Sequence, residues 1–546
     1  MQLERVEISG FRGIRRLSLS FDELTTLIGE NTWGKSSLFD ALSIALPADG
    51  QFYPFEMMDF HVDYSVAHPQ TQHLQIVLSL IANDKQEIKA GRYRKIRPLW
   101  VEDAEGKHRI YYRVSASRIA HEITTHYDFL DTKGQPKTLS HPEKFAKELM
   151  SLHPVLRLRD SRRFERPLHT SDPVNARIEK RIHNTCRRLM AIPGHVNKGE
   201  IKSSLASMQT LIEHYFSFKN HQRKNPRKQR DGVFFTASTN DNNLIKVMTE
   251  TRNNQTRLLL MRLLNSYLQA KGPNELRRCA RPFLIIEDPE GRLHPTHLAR
   301  AWSLLQLLPM QKILTTNSAD LLRQLPLDSI RRLVRQSDRT VATYLPTQRL
   351  GRDELRRIGF HIRFHRSGAL FARCWLLVEG ETEVWLFNEL ANQCGYNLAA
   401  EGVQIIEFAQ SGLKSLIKVA KAFGIDWHVV TDGDLAGKKY AHTVRSLLGS
   451  DQERHRLTEL PARDIEHFLY ENGFEHFFKA LAKIPLDHPI PAKKVVTRVL
   501  KKHAKPDLAL AIVAYCEQHG SEGIPLLLRW VLKRVVTMAN GNNLST

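Results

Sequence analysis

Apolar and polar residues alternate at 3–8 and 17–21 around a turn marked by Gly10 and Gly13, which predicts a strand, a hairpin and a second strand. The apolar run LTTLI at 24–28 leads into a glycine-bounded loop, and SSLFDALSIAL at 36–46 has helical spacing. Further strand-like segments follow, including LQIVLSLI at 74–81 and HRIYYRVSA at 108–116. From about 140 to 275 the spacing becomes helical and charged. RPFLIIEDPE at 281–290 is a strand stopping on acids, a helix starts near Pro295, and KILTTNSAD at 312–320 is another strand with a polar end. A basic, low-glycine stretch at 331–370 precedes CWLLVEGETEVWLFNELA, a buried strand running into a helix. VQIIEF, SLIKVAKAFG and WHVVTDGDLAG continue the alternation of strand and helix, which predicts a parallel sheet covered on both faces. The final 80 residues read as mostly helical. The chain is expected to be α/β, with segments at 1–140, 141–275 (a helical insert), 276–370, 371–475 and 476–546 (a helical tail).

At 546 residues the chain is too long for one core and should form two or three domains. Its 80 basic residues against 58 acidic ones give a formal charge of +22, which favours a polyanionic partner. The five cysteines are scattered without C-x-x-C spacing, so neither a disulfide framework nor a zinc site is expected. With no apolar run near the roughly 18 residues of a membrane span, and no signal-like start, a cytoplasmic protein without membrane contact is expected.

Gly29-Glu30-Asn31-Thr32-Trp33-Gly34-Lys35-Ser36 matches G-x-x-x-x-G-K-[ST] between a strand and a helix. Backbone N–H groups and the helix N-terminus favour phosphates there, with Ser37 continuing the loop. Lys35 is assigned to the β and γ oxygens of a bound nucleotide and Ser36 to Mg²⁺; the loop alone does not separate an ATPase from a kinase or GTPase. Some 250 residues on, Glu287 and Asp288 end the strand FLII; Glu287 is assigned to the metal and Asp288 to the attacking water.

A second acidic constellation starts at Glu379, at the tip of CWLLV, with Glu383 on the first turn of the next helix. WHVVT ends in Asp432-Gly433-Asp434, whose period-two geometry can put both aspartates on one side. Converging carboxylates are costly without cations, and hard oxygen ligands select Mg²⁺ or Mn²⁺. The arginine-rich stretches at 157–166 and 219–230 are candidates for contacting a nucleic-acid backbone, although such faces are often merely solvated.

The P-loop, FRGI at 11–14, EDPEGRLHP at 287–295 and TTNSADLL at 315–322 resemble the ATP-binding-cassette heads of SMC and RecF proteins. VEGETE and DGD resemble the Toprim domain, and the combination looks like the OLD (overcoming lysogenization defect) nucleases. The resemblance implies an ABC/SMC-RecF-like P-loop ATPase whose helical insert dimerises, followed by a Toprim parallel-sheet domain. It implies ATP and one Mg²⁺ at the head, and two metal ions at Glu379, Glu383, Asp432, Asp434, Asp464 and Glu466. Glu379, Asp432 and Asp434 would be catalytic, with Lys505 as the assisting lysine; Lys438 and Lys439 are alternatives for phosphate contact. DNA is the implied substrate, a homodimer or higher assembly the implied state, and phage defence or DNA repair the implied role. Two positions depart from the pattern. Asn317 stands where such heads place a histidine, leaving His294 as another switch candidate, and 251–255 (TRNNQ) is a poor signature loop. The competing expectation is an ATP-dependent DNA clamp that does not cut. Topoisomerase and primase readings lack, respectively, a recognisable tyrosine-nucleophile domain and a template-binding module.

Overall fold

The computed structural model describes residues 1–62, 71–119, 122–159, 217–218, 279–290, 295–306, 310–336, 338–346 and 350–541, with the single positions 277 and 348. Most of the 141–275 insert, His294, the 251–255 loop and the basic stretch at 219–230 lie outside them. The chain divides into two units, Met1–Ala342 and Thr343–Thr546.

The first unit is built on a 13-stranded sheet. Its strands are β1 (Gln2–Phe11), β2 (Ile14–Ser20), β3 (Leu24–Ile28), β4 (His73–Ile81), β5 (Val101–Glu102), β6 (His108–Ile119), β7 (Glu122–Leu130), β8 (Val155–Arg159), β9 (Ser217–Phe218), β10 (Phe283–Ile286), β11 (Lys312–Thr315), β12 (Ile330–Arg335) and β13 (Thr340–Tyr344). Their order is β5-β6-β4-β1-β2-β13-β12-β3-β11-β10-β8-β9, with β7 beside β6. β1, β2, β4, β6 and β7 pair antiparallel, and their alternating burial explains the alternation in the sequence. Around β3 the pairing is parallel, with β12 on one side and β11 on the other, then β10 and β8. Helices α1 (Lys35–Ala45) and α2 (Pro295–Gln306) follow β3 and β10 in the chain.

Two features of this sheet differ from the expectation. β8 pairs in parallel with β10, so the sheet reaches past residue 140 into the predicted helical insert. β12, IRRLVR, lies within a stretch read only as basic; Arg331 and Arg332 are both buried. Arg331 pairs with Asp22, and Arg332 lies over the Trp33 ring at 5.6 Å. Charged residues therefore occupy an inner strand and mask its apolar pattern.

The second unit holds a four-stranded, all-parallel sheet of β14 (Cys374–Val378), β15 (Val403–Glu407), β16 (Asp426–Thr431) and β17 (Leu457–Glu459), in the order β15-β14-β16-β17. Among its helices are α3 (Arg352–Ile358), α4 (Glu381–Gln393), α5 (Leu413–Phe423), α6 (Leu435–Leu447), α7 (Ile465–Leu469), α8 (Ala492–Lys502), α9 (Lys505–His519) and α10 (Leu526–Ala539). The tail is part of this core: Val495, Val499, Ile512, Val531 and Val535 are buried in one cluster with Cys374, Leu376 and Val378. Residues 343–370, expected with the head, belong to the second unit. Glu354 pairs with Lys418 at 2.7 Å, Arg366 with Glu407 at 2.7 Å, and Trp375 Nε1 donates to the Ala369 carbonyl at 2.8 Å.

Candidate functional site

β3 leaves the sheet at Gly29, and the loop closes on Gly34, where φ is +93° and an added Cβ would lie 3.0 Å from Ile14 Cγ1. Only glycine takes that turn without strain. Lys35 opens α1 and is buried; its Nζ donates to the Gly29 carbonyl at 2.6 Å and to Asn317 Oδ1 at 3.1 Å. Burial lowers the Lys35 pKa, against the attraction of Asp288 and Glu290. Ser36, Asn31 and Thr32 are exposed, Trp33 is half-buried, and the Trp33 N–H donates to the Glu30 carbonyl at 3.1 Å. Ser37 turns towards the hairpin, where its Oγ accepts from the Gly13 N–H at 3.4 Å.

β11 lies between β3 and β10, which brings its polar end beside both the loop and the acids. Asp288 has a left-handed backbone, φ +38°, fastened by Thr315: the Asp288 N–H donates to the Thr315 carbonyl at 3.2 Å and Thr315 Oγ1 donates to Asp288 Oδ1 at 3.0 Å. Such strain collects where a side chain must be aimed. Glu290, seen in sequence only as part of a motif, accepts from Thr316 Oγ1 at 2.9 Å and from the Asn317 N–H at 2.5 Å. Glu287, assigned to metal from its position, pairs with Arg157. Arg157 also pairs with Asp40, which in turn holds Arg12. This corrects the reading of 157–166 as a surface stretch at its first arginine, which is only 3% exposed. A buried guanidinium between two carboxylates offsets part of their charge from within the protein.

In the second unit β14 leads on to β15 on one side, and β16 lies on the other. The gap between β14 and β16 is thus the topological switch point, where a parallel sheet opens a crevice at its strand ends. Glu379 and Asp432 leave the sheet there. Gly437 brings α6 against the DGD turn; a Cβ on it would come 1.9 Å from the Asp432 carbonyl oxygen.

Six acids lie along this edge, near enough for their charges to act on one another. The Asp432 carboxyl is pushed up to about 8 by burial and then by the charges of Glu383, Glu379, Asp464 and Glu466. Burial foremost raises Glu379, with Asp434 adding to it, and burial likewise raises Glu383 and Glu466. Lys505 opposes all three shifts, with its Nζ 3.8 Å from Glu466 Oε1. Lys438 and Lys439 are exposed on α6.

Three of the acids are also tied to backbone. Glu383 accepts from the Gly380 N–H at 3.0 Å, Asp434 from the Gly437 N–H at 2.7 Å, and Asp464 from the His467 N–H at 2.8 Å. His467 Nδ1 also lies 2.6 Å from Asp464 Oδ1, an interaction not anticipated from sequence. Among the described residues no three His, Cys, Asp or Glu side chains are gathered so as to hold a metal ion; the three caps supply a reason. Buried Glu379 Oε2 and Glu466 Oε1 have no hydrogen-bond partner, however, and the donors are hard oxygens. That chemistry fits Mg²⁺ or Mn²⁺.

A family model described as protein of unknown function (DUF2813) matches residues 1–369. The chain belongs to this family. A model of the overcoming-lysogenization-defect-like Toprim domain matches residues 370–434, which include Glu379, Glu383, Asp432 and Asp434. This DUF2813 chain thus joins a P-loop sheet to a Toprim domain, the organisation of OLD-family proteins. It is 42% identical to "Uncharacterized protein YbjD" of Escherichia coli (strain K12), over 99% of this chain and 100% of that one. Among solved structures, the C-terminal region of the Xanthomonas campestris pv. campestris OLD protein is 15% identical, covering 31% of this chain and 94% of that one, with a TM-score of 0.27. The SMC head domain from Thermotoga maritima is 13% identical, covering 63% and 99%, with a TM-score of 0.29. Among the described residues no helix is long and apolar enough to cross a membrane.

Proposed function

We propose that the chain binds and hydrolyses ATP at the Lys35 loop and cuts DNA at the Glu379–Asp432 crevice, with the nucleotide site governing access to the cutting site. The observation that supports the cutting step is the set of mutually repelling acids at a sheet switch point, where burial and then its acidic neighbours push the Asp432 pKa up to about 8. Charge of one sign at that density calls for cations.

At the head, Lys35 would bind the β and γ phosphate oxygens and Ser36 would face the accompanying Mg²⁺. Asp288, aimed by Thr315, is the group to orient water, while Asn317 and Glu290 hold the loop beside Lys35. In the second unit Glu379, Asp432 and Glu466 would hold divalent cations, with Glu383, Asp434 and Asp464 joining from their capping positions. The cations, when bound, supply Lewis acidity at the scissile phosphate. Lys505 is the group that would balance charge gathering on the phosphate oxygens. A homodimer and a role in phage defence or DNA repair belong to the same reading.

The three caps favour a second reading, an ATP-dependent DNA clamp that does not cut. Supercoiled and linear DNA incubated with Mn²⁺ and the wild type, Glu379→Ala or Asp432→Ala separates the two. Cutting by the wild type and a loss of roughly a hundred-fold or more in both variants is expected. Equal cutting by all three proteins would overturn the nuclease assignment, and no cutting by any would favour the clamp.

A further inference from the structure

The basic stretch between the two sheets acquires a definite shape in the second unit. α3 runs directly into a π-helical turn, Gly359–His365. Ile358 and Ile362, four residues apart, are buried, and this anchors the inner face. Phe360 and Phe364, also four apart, are 53% and 51% exposed. Around them the rings gather: His365 packs on Phe360 with centroids 4.6 Å apart, His361 at 5.0 Å, and the Arg363 guanidinium lies 5.0 Å from the Phe364 centroid. π-turns often mark functional positions, and here the turn is what puts residues 360 and 365 in contact.

The position of this turn is fixed. Arg366 pairs with Glu407, the last residue of β15, and Glu407 is in register with Val378 on β14. The Ala409 N–H donates to the Glu379 carbonyl at 3.3 Å. The aromatic turn therefore stands at the same strand ends as the acids, one strand over from Glu379. Between Gly351 and Arg366 there are five arginines and two acids, and the acids are engaged: Asp353 with Arg356 at 3.5 Å and Glu354 with Lys418 at 2.7 Å.

Resting on the DNA reading of the neighbouring site, we infer that Phe360 and Phe364 form a stacking platform for unpaired nucleic-acid bases, with Arg352, Arg357 and Arg363 meeting the phosphates. A protein partner would be served by the apolar rings alone. The surplus of arginine beside an acid-rich crevice fits a polyanion that must be held while one of its phosphates approaches carboxylates. Half-exposed rings need bases with a free face, which blunt duplex does not offer.

The test uses the full chain carrying Glu379→Ala, to suppress cutting, and the fluorescence anisotropy of a labelled oligothymidine of about 20 nucleotides. Adding Phe360→Ala and Phe364→Ala should weaken binding roughly ten-fold or more, with the melting temperature unchanged. Tyrosine at both positions should restore it, and blunt duplex should bind more weakly and ignore the rings. The inference is overturned if the oligothymidine does not bind, if the alanine pair binds it as tightly as its parent, or if duplex shows the same loss. The two readings fail separately. Ring-dependent binding with no cutting by the wild type removes the nuclease and leaves the platform. Glu379-dependent cutting with ring-independent binding removes the platform alone.

Discussion

The two acidic centres of this protein differ in how far arginine answers their negative charge. In the head three acids have a guanidinium partner, Asp40 with Arg12 and Arg157, Asp59 with Arg12 and Glu287 with Arg157, while Glu290, raised by burial and then by Asp288, accepts from the Thr316 hydroxyl and the Asn317 N–H. In the Toprim crevice six acids crowd one another, Asp432 rises to about 8, and Lys505 stands 3.8 Å from Glu466. A balanced site can rest without ligand at little cost. An overcharged one stores repulsion that an arriving cation relieves.

Removing charge should therefore have opposite effects in the two places. Arg157→Ala takes a buried guanidinium from between Asp40 and Glu287 and should destabilise the head by about 3–5 kcal/mol, read from chemical denaturation. A loss below about 1 kcal/mol would mean the head is not internally neutralised.

Asp432→Asn should do the reverse. The folded pKa of Asp432, about 8, lies above its unfolded value near 3.8, so the folded state holds the proton longer. Metal-free wild type is then most stable below about pH 4 with respect to this group and loses that stability as pH rises to about 8. The acids titrate together, and the window belongs to the cluster. At pH 8 the asparagine variant should be more stable than wild type by roughly 2–4 kcal/mol without divalent ions, after allowance for solvent screening. With Mn²⁺ present the order should reverse. A variant less stable than wild type in EDTA at pH 8 would break the comparison.

What the sequence disclosed was local. The P-loop and the strand-ended acids are contiguous and flanked by apolar runs, so Lys35, Asp288, Glu379 and Asp432 were legible where they stand. Lys505 was proposed only through the resemblance. Arg157 and Asp40 are 117 positions apart, and no pattern couples them. β12 escaped because Arg331 and Arg332 sit inside it, their charge answered by Asp22 and by the Trp33 ring. The capping work of Asp434 and Asp464 was readable in principle, since each precedes a helix, but the acids had already been assigned to metal. The β8 strand was hidden by its own arginines, Arg157 and Arg159, for the same reason as β12.

The smallest effect expected is at Lys505. It competes with cations for Glu466, so Lys505→Ala should tighten Mn²⁺ binding about two- to five-fold while slowing any phosphodiester cleavage. Weaker Mn²⁺ binding in this variant would show that the lysine supports the acids rather than opposing a metal.

A nuclease centre requires that the Toprim acids, and not the nucleotide loop, take up divalent cations when no nucleotide is present. Mn²⁺ binding to the nucleotide-free full chain, followed by electron paramagnetic resonance, tests this directly. Binding should survive Lys35→Ala and be lost in Asp432→Ala; binding that survives Asp432→Ala unchanged would contradict a metal site at the Toprim acids.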